Sequence, residues 1–429
     1  MSIIHGLNLY FFSPLLCGTF TVCGVYFLFK LKLYSPKTVS GVFRRSFSYS
    51  GDNGISPFSS LSVALAGTLG VGNISGVAVA ISLGGAGAVF WMLVSALLGA
   101  SLKYAEAYLA VKHRCESEAG NHGGAPYYIR DLAGVSSAKA YAVLCVVMSI
   151  TSGSFVQTNA ASSALNVAYG VPGIVCGMVF SVLCAAVVFG GVKRVSAFAS
   201  ALMPLFCLVF TVISLLAIFS RIELVPSVLL RILRGAFGFR AVCGGAAGAV
   251  FSSALRHGIT KGVFSNEAGC GTSAFSHAAS SSKDPAGQGG VGIIEVLFDT
   301  VFFGLLSAFV ILLSPAGDTV GNYDGTFLSV KAYSYFFDGA AVHIITALIV
   351  FFAAATVICW AYYGTEAVIF LGGGKTGKAV YLTVYCLSLT VGSVAAPALI
   401  WEASDIISSV MLTLNCAVLI KGRSGIKEK

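Results

Sequence analysis

Eleven apolar runs of roughly membrane-spanning length recur along the chain, and they restrict it to a bundle of transmembrane helices. The hydrocarbon core of a bilayer takes about 20 consecutive apolar residues as helix. The runs fall at 9–29, 58–81, 86–111, 138–167, 171–190, 195–220, 242–265, 291–313, 342–370, 379–394 and 399–420. Shorter amphipathic pieces are expected near 225–237 and 327–337. Lipid offers no hydrogen bonds, so each run must satisfy its own backbone, which a helix does. Composition agrees: 10% of the residues are charged and 57% hydrophobic, against about 25% charged in an average soluble domain. This excludes a disordered chain, a nucleic-acid scaffold and most soluble enzymes. The expected fold class is all-α integral membrane.

The cations next to the first run, Lys30 and Lys32, follow it. A signal peptide carries them ahead of the run, so the reading is a retained helix. The net charge of +9 says less than where the cations sit. With the N-terminus outside, inside loops and the tail hold 18 Lys and Arg, from Lys30 to Lys429. Outside loops hold five, namely Arg221, Arg231, Arg234, Arg240 and Lys331. That asymmetry predicts N-out and C-in. The outer arginines are an exception to it. The 12 cysteines form no C-x-x-C and sit mostly in apolar runs, so they read as small packing residues.

Two runs are not ordinary helices. The second contains Gly67-Thr68-Leu69-Gly70-Val71-Gly72-Asn73-Ile74-Ser75-Gly76. The seventh ends in Phe264-Ser265-Asn266-Glu267-Ala268-Gly269-Cys270-Gly271-Thr272. Such strings break a helix in mid-membrane, where open backbone survives only inside protein or along a cavity. Gly70 and Gly269 are five runs apart, an odd number, so the second half is inverted relative to the first. Discontinuous helices at matching places in two halves point to a transporter site. The competing reading is close helix packing through Gly72 and Gly76. Asn73, Asn266 and Glu267 count against it, because buried polar groups are costly.

Three motif matches fail. Gly372-Gly373-Gly374-Lys375-Thr376 has Ile369 where a phosphate loop needs glycine, and it follows a spanning run. Gly70-Val71-Gly72 has Ser75 where a dinucleotide fingerprint needs its third glycine. Asn73-Ile74-Ser75 matches a glycosylation acceptor inside a span. The six histidines have no metal-ligand spacing, and no serine stands at a nucleophile elbow.

A binding constellation remains. Half-helix N-termini suit a carboxylate; half-helix C-termini and unwound carbonyls suit a cation. Gly70, Gly72, Gly269 and Gly271 allow a small zwitterion close to the backbone. Gln157 is a lone amide among small residues, and Thr356 and Trp360 share a helix face at i, i+4. Each also has a structural reading: an interhelical bond for Gln157, a back-bond for Thr356, lipid anchoring for Trp360. Glu106, Glu295, Asp299, Glu366 and Asp405 read either as proton or ion relays or as paired structural charges.

At these residues the sequence resembles the alanine or glycine:cation symporter family. The matching strings are Gly67–Ile74, Lys103-Tyr104-Ala105-Glu106, Gly190-Gly191-Val192-Lys193-Arg194, Phe264–Gly269, Asp299-Thr300 and Trp360-Ala361-Tyr362-Tyr363-Gly364, in order over most of the chain. The resemblance implies a leucine-transporter-like fold with five-plus-five inverted repeats and one extra N-terminal helix. The expected division is 1–50 for the extra helix and basic loop, 51–220 for the first repeat and 221–429 for the second. It implies a monomeric inner-membrane carrier, not an enzyme, that imports alanine or glycine with sodium or a proton, without cofactor or nucleic-acid partner. Implied substrate contacts are Thr68, Gly70, Gly72, Asn73, Gln157, Asn266, Gly269, Thr356 and Trp360. The implied cation site uses Gly67, Gly70, Val71, Ala353 and Thr356. Three positions depart from the family pattern: Val71 replaces Thr, Ala355 replaces Ser or Thr, and Lys261 replaces Arg. A hydroxyl lost at position 355 removes a hard ligand for sodium. A proton-coupled or exchange-type carrier is therefore the alternative.

Overall fold

The computed structural model describes residues 2–46, 54–117, 120–189, 191–237, 245–319, 321 and 324–427. Gly190, Arg240, Val242, Cys243 and Lys429 lie outside them. The chain folds into helices α1 (Ile4–Lys30), α2 (Pro36–Arg45), α3 (Pro57–Thr68), α4 (Ser75–Gly84) and α5 (Gly87–Lys112). A hairpin of β1 (Cys115–Ser117) and β2 (Gly120–His122) follows, then α6 (Ala125–Ala133), α7 (Val135–Tyr169), α8 (Gly173–Val188) and α9 (Gly191–Phe219). The second half contains α10 (Val225–Phe237), α11 (Gly245–Asn266), α12 (Ala274–Ala278), α13 (Pro285–Leu312), α14 (Gly325–Phe370), α15 (Gly374–Gly392) and α16 (Pro397–Lys421).

Among the described residues seven helices are long and apolar enough to cross a membrane, and the bent pair α3–α4 makes an eighth. Helices α8, α11 and α15 stand at the other three expected runs. The amphipathic piece near 225–237 is α10. The one near 327–337 is not separate: α14 runs unbroken for 46 residues from Gly325 to Phe370. Its Gly339 stands in open space, and a single interior glycine costs a helix only about 1 kcal/mol.

Local chemistry sets the ends that position the site. The Ser56 hydroxyl accepts from Ser59 N and caps α3, with Pro57 in the first turn. The Asp284 carboxylate accepts from Ala286 N and starts α13 six residues before the apolar run. Helix α3 stops at Thr68, and α4 leaves it at 59° after a tight turn over Val71–Asn73. Helix α11 stops at Asn266. Glu267, Gly269 and Gly271 then take positive φ values of 52°, 87° and 79°. A left-handed glutamate is uncommon and strained.

Helix α5 lies at the centre, packed against α11 and α13. Its Lys103 is fully buried, 3.2 Å from the equally buried Glu295. Lys103 Nζ also donates to Ser273 Oγ (2.9 Å), and His277 Nε2 meets the other Glu295 oxygen at 2.9 Å. Breaking a buried pair from one side leaves a naked charge. Lys103→Met and Glu295→Gln should therefore each cost about 3–5 kcal/mol, and the double variant less than their sum. Thermal melts of the full chain in detergent check this.

Candidate functional site

The break between α3 and α4 frees backbone groups in a fixed order. Ala66 O would accept from Gly70 N in a continuing helix, but Gly70 N turns to Thr68 O at 2.7 Å. Gly67 O would accept from Val71 N, but Val71 N donates to Gln157 Oε1 at 3.1 Å. Two carbonyls at the end of α3 are thus left without helical partners. Thr356 Oγ1 of α14 donates to one of them, Ala66 O, at 2.8 Å. Gln157 Nε2 donates to Ser152 O at 3.1 Å, in the widened stretch Ser149–Val156 of α7. Such π-type bulges cluster at functional sites.

This packing leaves room only for glycine at Gly70. A Cβ there would stand 2.6 Å from both Gln157 Oε1 and Thr356 Oγ1. Trp360, one turn beyond Thr356, is fully buried, and its Nε1 has no partner among the described residues. Its Cβ would lie 2.4 Å from a Cβ on Gly153. Lipid anchoring of Trp360 and a back-bond for Thr356 are therefore not what the structure shows. Ala353 and Ala355 are fully buried on α14 nearby.

A second cluster lies on the other side of the turn. Asn73 Nδ2 donates to Asp299 Oδ1 (2.5 Å), and Ser265 Oγ reaches both Asn73 Oδ1 (2.6 Å) and Asp299 Oδ2 (2.7 Å). Thr300 Oγ1 donates to Asp299 Oδ2 at 2.7 Å and accepts from Asn266 Nδ2 at 3.2 Å. Asn266 Oδ1 accepts from Ala268 N at 3.0 Å, which caps the end of α11. Asp299 is fully buried. Among the described residues no Lys, Arg or His stands at ion-pair distance from it. The other candidate carboxylates are held differently: Glu295 by Lys103 and His277, Asp405 by Lys261 at 2.8 Å, Glu366 by His122, Glu106 by Asn415 at 2.8 Å.

The expected site residues thus fall into two adjoining groups. Gly67, Gly70, Val71, Gln157, Thr356 and Trp360 form one; Asn73 and Asn266 belong to the other. Gly72 faces the second group: a Cβ there would stand 3.4 Å from the Phe264 ring and 3.5 Å from Ser265 Cα. Thr68 spends its hydroxyl on Ala64 O at 3.1 Å within α3. Gly269 stands apart: a Cβ there would lie 3.2–3.3 Å from Leu412 and Leu102, and its carbonyl accepts from Asn415 Nδ2. Ala66, Ser265 and Thr300 were not expected. Ser265 and Asp299-Thr300 already stand in the matching strings, but nothing in sequence brings them together.

Contacts tie the helices together on both sides of these clusters. At the end bearing the basic loops, Ile55 N donates to Ala279 O (3.0 Å) and Ser281 N to Ile55 O (2.7 Å). The hairpin straps this seam: Arg114 Nη1 donates to Ser280 O and Ser282 O at 2.7 and 2.9 Å, and Asn121 Nδ2 to Ser280 O at 2.9 Å. At the opposite end the Lys261–Asp405 pair sits over the Phe264–Trp401 edge-to-face contact, with Lys261 Nζ 4.5 Å from the Trp401 ring centre.

The hairpin is also tied by His122 Nδ1 to Glu366 Oε2 at 3.1 Å. Hydrogen bonding to that carboxylate holds the imidazole above its ordinary pKa of 6.5. A raised pKa gives a contribution that is complete below the ordinary value and lost as pH rises through the raised one. Hydrogen exchange in residues 115–122 should accelerate on going from about pH 6 to about pH 9, beyond the intrinsic rate change. His122→Gln should remove that excess.

A membrane bundle with two broken helices and polar groups at the breaks has the architecture of a secondary transporter. Residues 1–423 match the family model described as the sodium:alanine symporter family. The chain belongs to that family, whose members are secondary transporters and not enzymes, and it is a multi-pass membrane protein of cation-coupled amino acid transport. It is 34% identical to an uncharacterized transporter of Haemophilus influenzae, covering 97% of this chain and 91% of that one. It is 32% identical to the probable sodium/glutamine symporter GlnT of Bacillus subtilis (94% and 84% covered). It is 30% identical to the sodium/alanine symporter AgcS of Methanococcus maripaludis (98% and 94% covered). Among solved structures, MhsT in complex with L-phenylalanine superposes with a TM-score of 0.60 at 16% identity, covering 88% of this chain and 91% of that one. That likeness shows the leucine-transporter-like fold.

Proposed function

We propose that the chain imports small neutral amino acids, alanine and glycine foremost, with sodium as the coupling ion. The observation that carries this reading is the helix break itself. It frees the carbonyls of Ala66 and Gly67 and sets the Thr356 hydroxyl against the first of them, oxygen groups suited to a hard monovalent cation. The substrate sits beside it, against Gly70, Gly72, Gln157 and the unpaired Trp360 Nε1, with Asn73 and Asn266 on its other side. Trp360 closes the space to large side chains. Sodium is named for the relatives with both alanine and glutamine; the crowding around Gly70 favours the smaller. Residues 51–220 and 221–429 serve as the inverted repeats, and transport alternates between opening the hairpin seam and opening the Lys261–Asp405 end. The carrier acts as a monomer in the inner membrane, with its N-terminus outside and its C-terminus in the cytoplasm.

Asp299 favours a second reading. A buried carboxylate with three neutral donors and no base can take up a proton in place of a metal ion. The two readings separate on purified protein by tryptophan fluorescence during alanine titration. Sodium, compared with choline, should tighten alanine binding at least about tenfold, ~1.4 kcal/mol of coupling. Ala355→Ser should restore an oxygen and lower the sodium concentration needed severalfold. Alanine affinity that ignores sodium but follows pH would establish the proton reading.

A further inference from the structure

We propose that a groove between α9 and α13 holds an acyl chain of an anionic phospholipid whose phosphate rests on Arg221 and Lys331. The groove encloses about 370 Å³. Ile218, Ile222 and Val225 form one wall, and Phe302, Leu305 and Phe309 form the other, with no titratable group. Its depth suits one leaflet. Phe309 is three residues and Phe302 ten residues from the end of α13 at Leu312. At about 1.5 Å per residue this spans ~4.5 to ~15 Å below the helix end, and half of a ~30 Å hydrocarbon core is ~15 Å.

The rim carries two cations, Arg221 and Lys331, and one exposed carboxylate, Glu223, which forms no ion pair with either. Arg221 directly precedes Ile222 of the wall and follows the end of α9 at Phe219. Its guanidinium lies 5.8 Å from the Tyr335 ring centre and donates to Tyr335 Oη at 3.4 Å. Lys331 stands one turn before Tyr335 on the same helix face, and both are exposed. Neither Arg221 nor Lys331 has an acidic partner among the described residues. Arg231 differs, being paired with Asp318 at 2.8 Å. Helix α10 marks the level of the interface. Val228, Ile232 and Ala236 pack inward, while Leu229, Leu230, Leu233 and Phe237 are exposed on the adjoining arc, with Arg234 and Arg231 beyond it. This is the pattern of a helix lying in a membrane surface. Two unpaired cations above an apolar slot of leaflet depth match a diester phosphate and its chain. A lipid site also gives the arginines at this end a role that offsets their cost under the charge-asymmetry rule.

The test uses the full chain, equilibrated with equal amounts of phosphatidylglycerol and phosphatidylcholine bearing the same acyl chains. Native mass spectrometry then reads the lipid retained. The wild type should keep one phosphatidylglycerol about tenfold over phosphatidylcholine. The double variant Arg221→Gln/Lys331→Gln, which alters only exposed side chains, should lose the preference, and Arg231→Gln should keep it. Leu305→Trp, which fills the slot, should reduce retention of both lipids. Equal retention of the two lipids by the wild type, or a preference that survives the double variant, would overturn the proposal.

Discussion

Gly70→Ala should lower alanine uptake by at least about 100-fold while the protein still inserts and folds. The added Cβ would lie 2.6 Å from Gln157 Oε1 and from Thr356 Oγ1. Neither side chain can yield freely, because Gln157 is held by Val71 N and Ser152 O and Thr356 by Ala66 O. Displacing each strands a buried polar group at about 1–3 kcal/mol, and two such losses amount to about two decades in rate or affinity. The residue sits at φ −88°, outside the left-handed region, so the close contacts of the added Cβ carry the effect. Gly304→Ala is the matched control. It lies near the second cluster, but its Cβ would be 3.9 Å from Asn73 Oδ1, and uptake should stay within about threefold of wild type. Initial rates of radiolabelled alanine uptake, with melting curves for each variant, decide the matter.

Asp299→Asn should give the second large loss, about 100-fold in gradient-driven uptake. The carboxylate is the acceptor for Asn73, Ser265 and Thr300. The amide keeps the shape and one acceptor, but it cannot accept from Asn73, Ser265 and Thr300 together and has no proton to exchange. Asp299→Ala removes all three acceptances and should also lower the melting temperature, at about 1–3 kcal/mol for each stranded donor. If the amide variant still concentrated alanine at the wild-type rate, Asp299 would be a structural group.

Much of this architecture can be read from residues alone, because membrane helices leave a long apolar signal and helix breaks leave glycines. The strings around Gly70 and Gly269 place both breaks, and Gln157, Thr356 and Trp360 stand out as polar or aromatic groups in small-residue surroundings. What escapes is whatever depends on backbone or on distant partners. Ala66 contributes a carbonyl freed by the turn after it, and an alanine side chain says nothing of that. Ser265 and Asp299 are 34 positions apart, and only the packing of α11 against α13 brings them together. The hairpin leaves no strand signal in Cys-Glu-Ser and Gly-Asn-His; docking of Arg114 and Asn121 onto Ser280 makes it. Gly269 carries the same signal as Gly70, yet its positive φ and its neighbours Leu102 and Leu412 give it the task of shaping the unwound segment.

The two helix breaks are proposed to form one site where a cation gradient drives a small amino acid. The most direct measurement is radiolabelled alanine accumulation in proteoliposomes of the purified chain, with inward sodium and inward proton gradients imposed separately. Accumulation above equilibrium is expected under a cation gradient, sodium being the proposed one, with glycine competing and phenylalanine not. Alanine that only equilibrates under either gradient, or phenylalanine that competes as well as glycine, would contradict it.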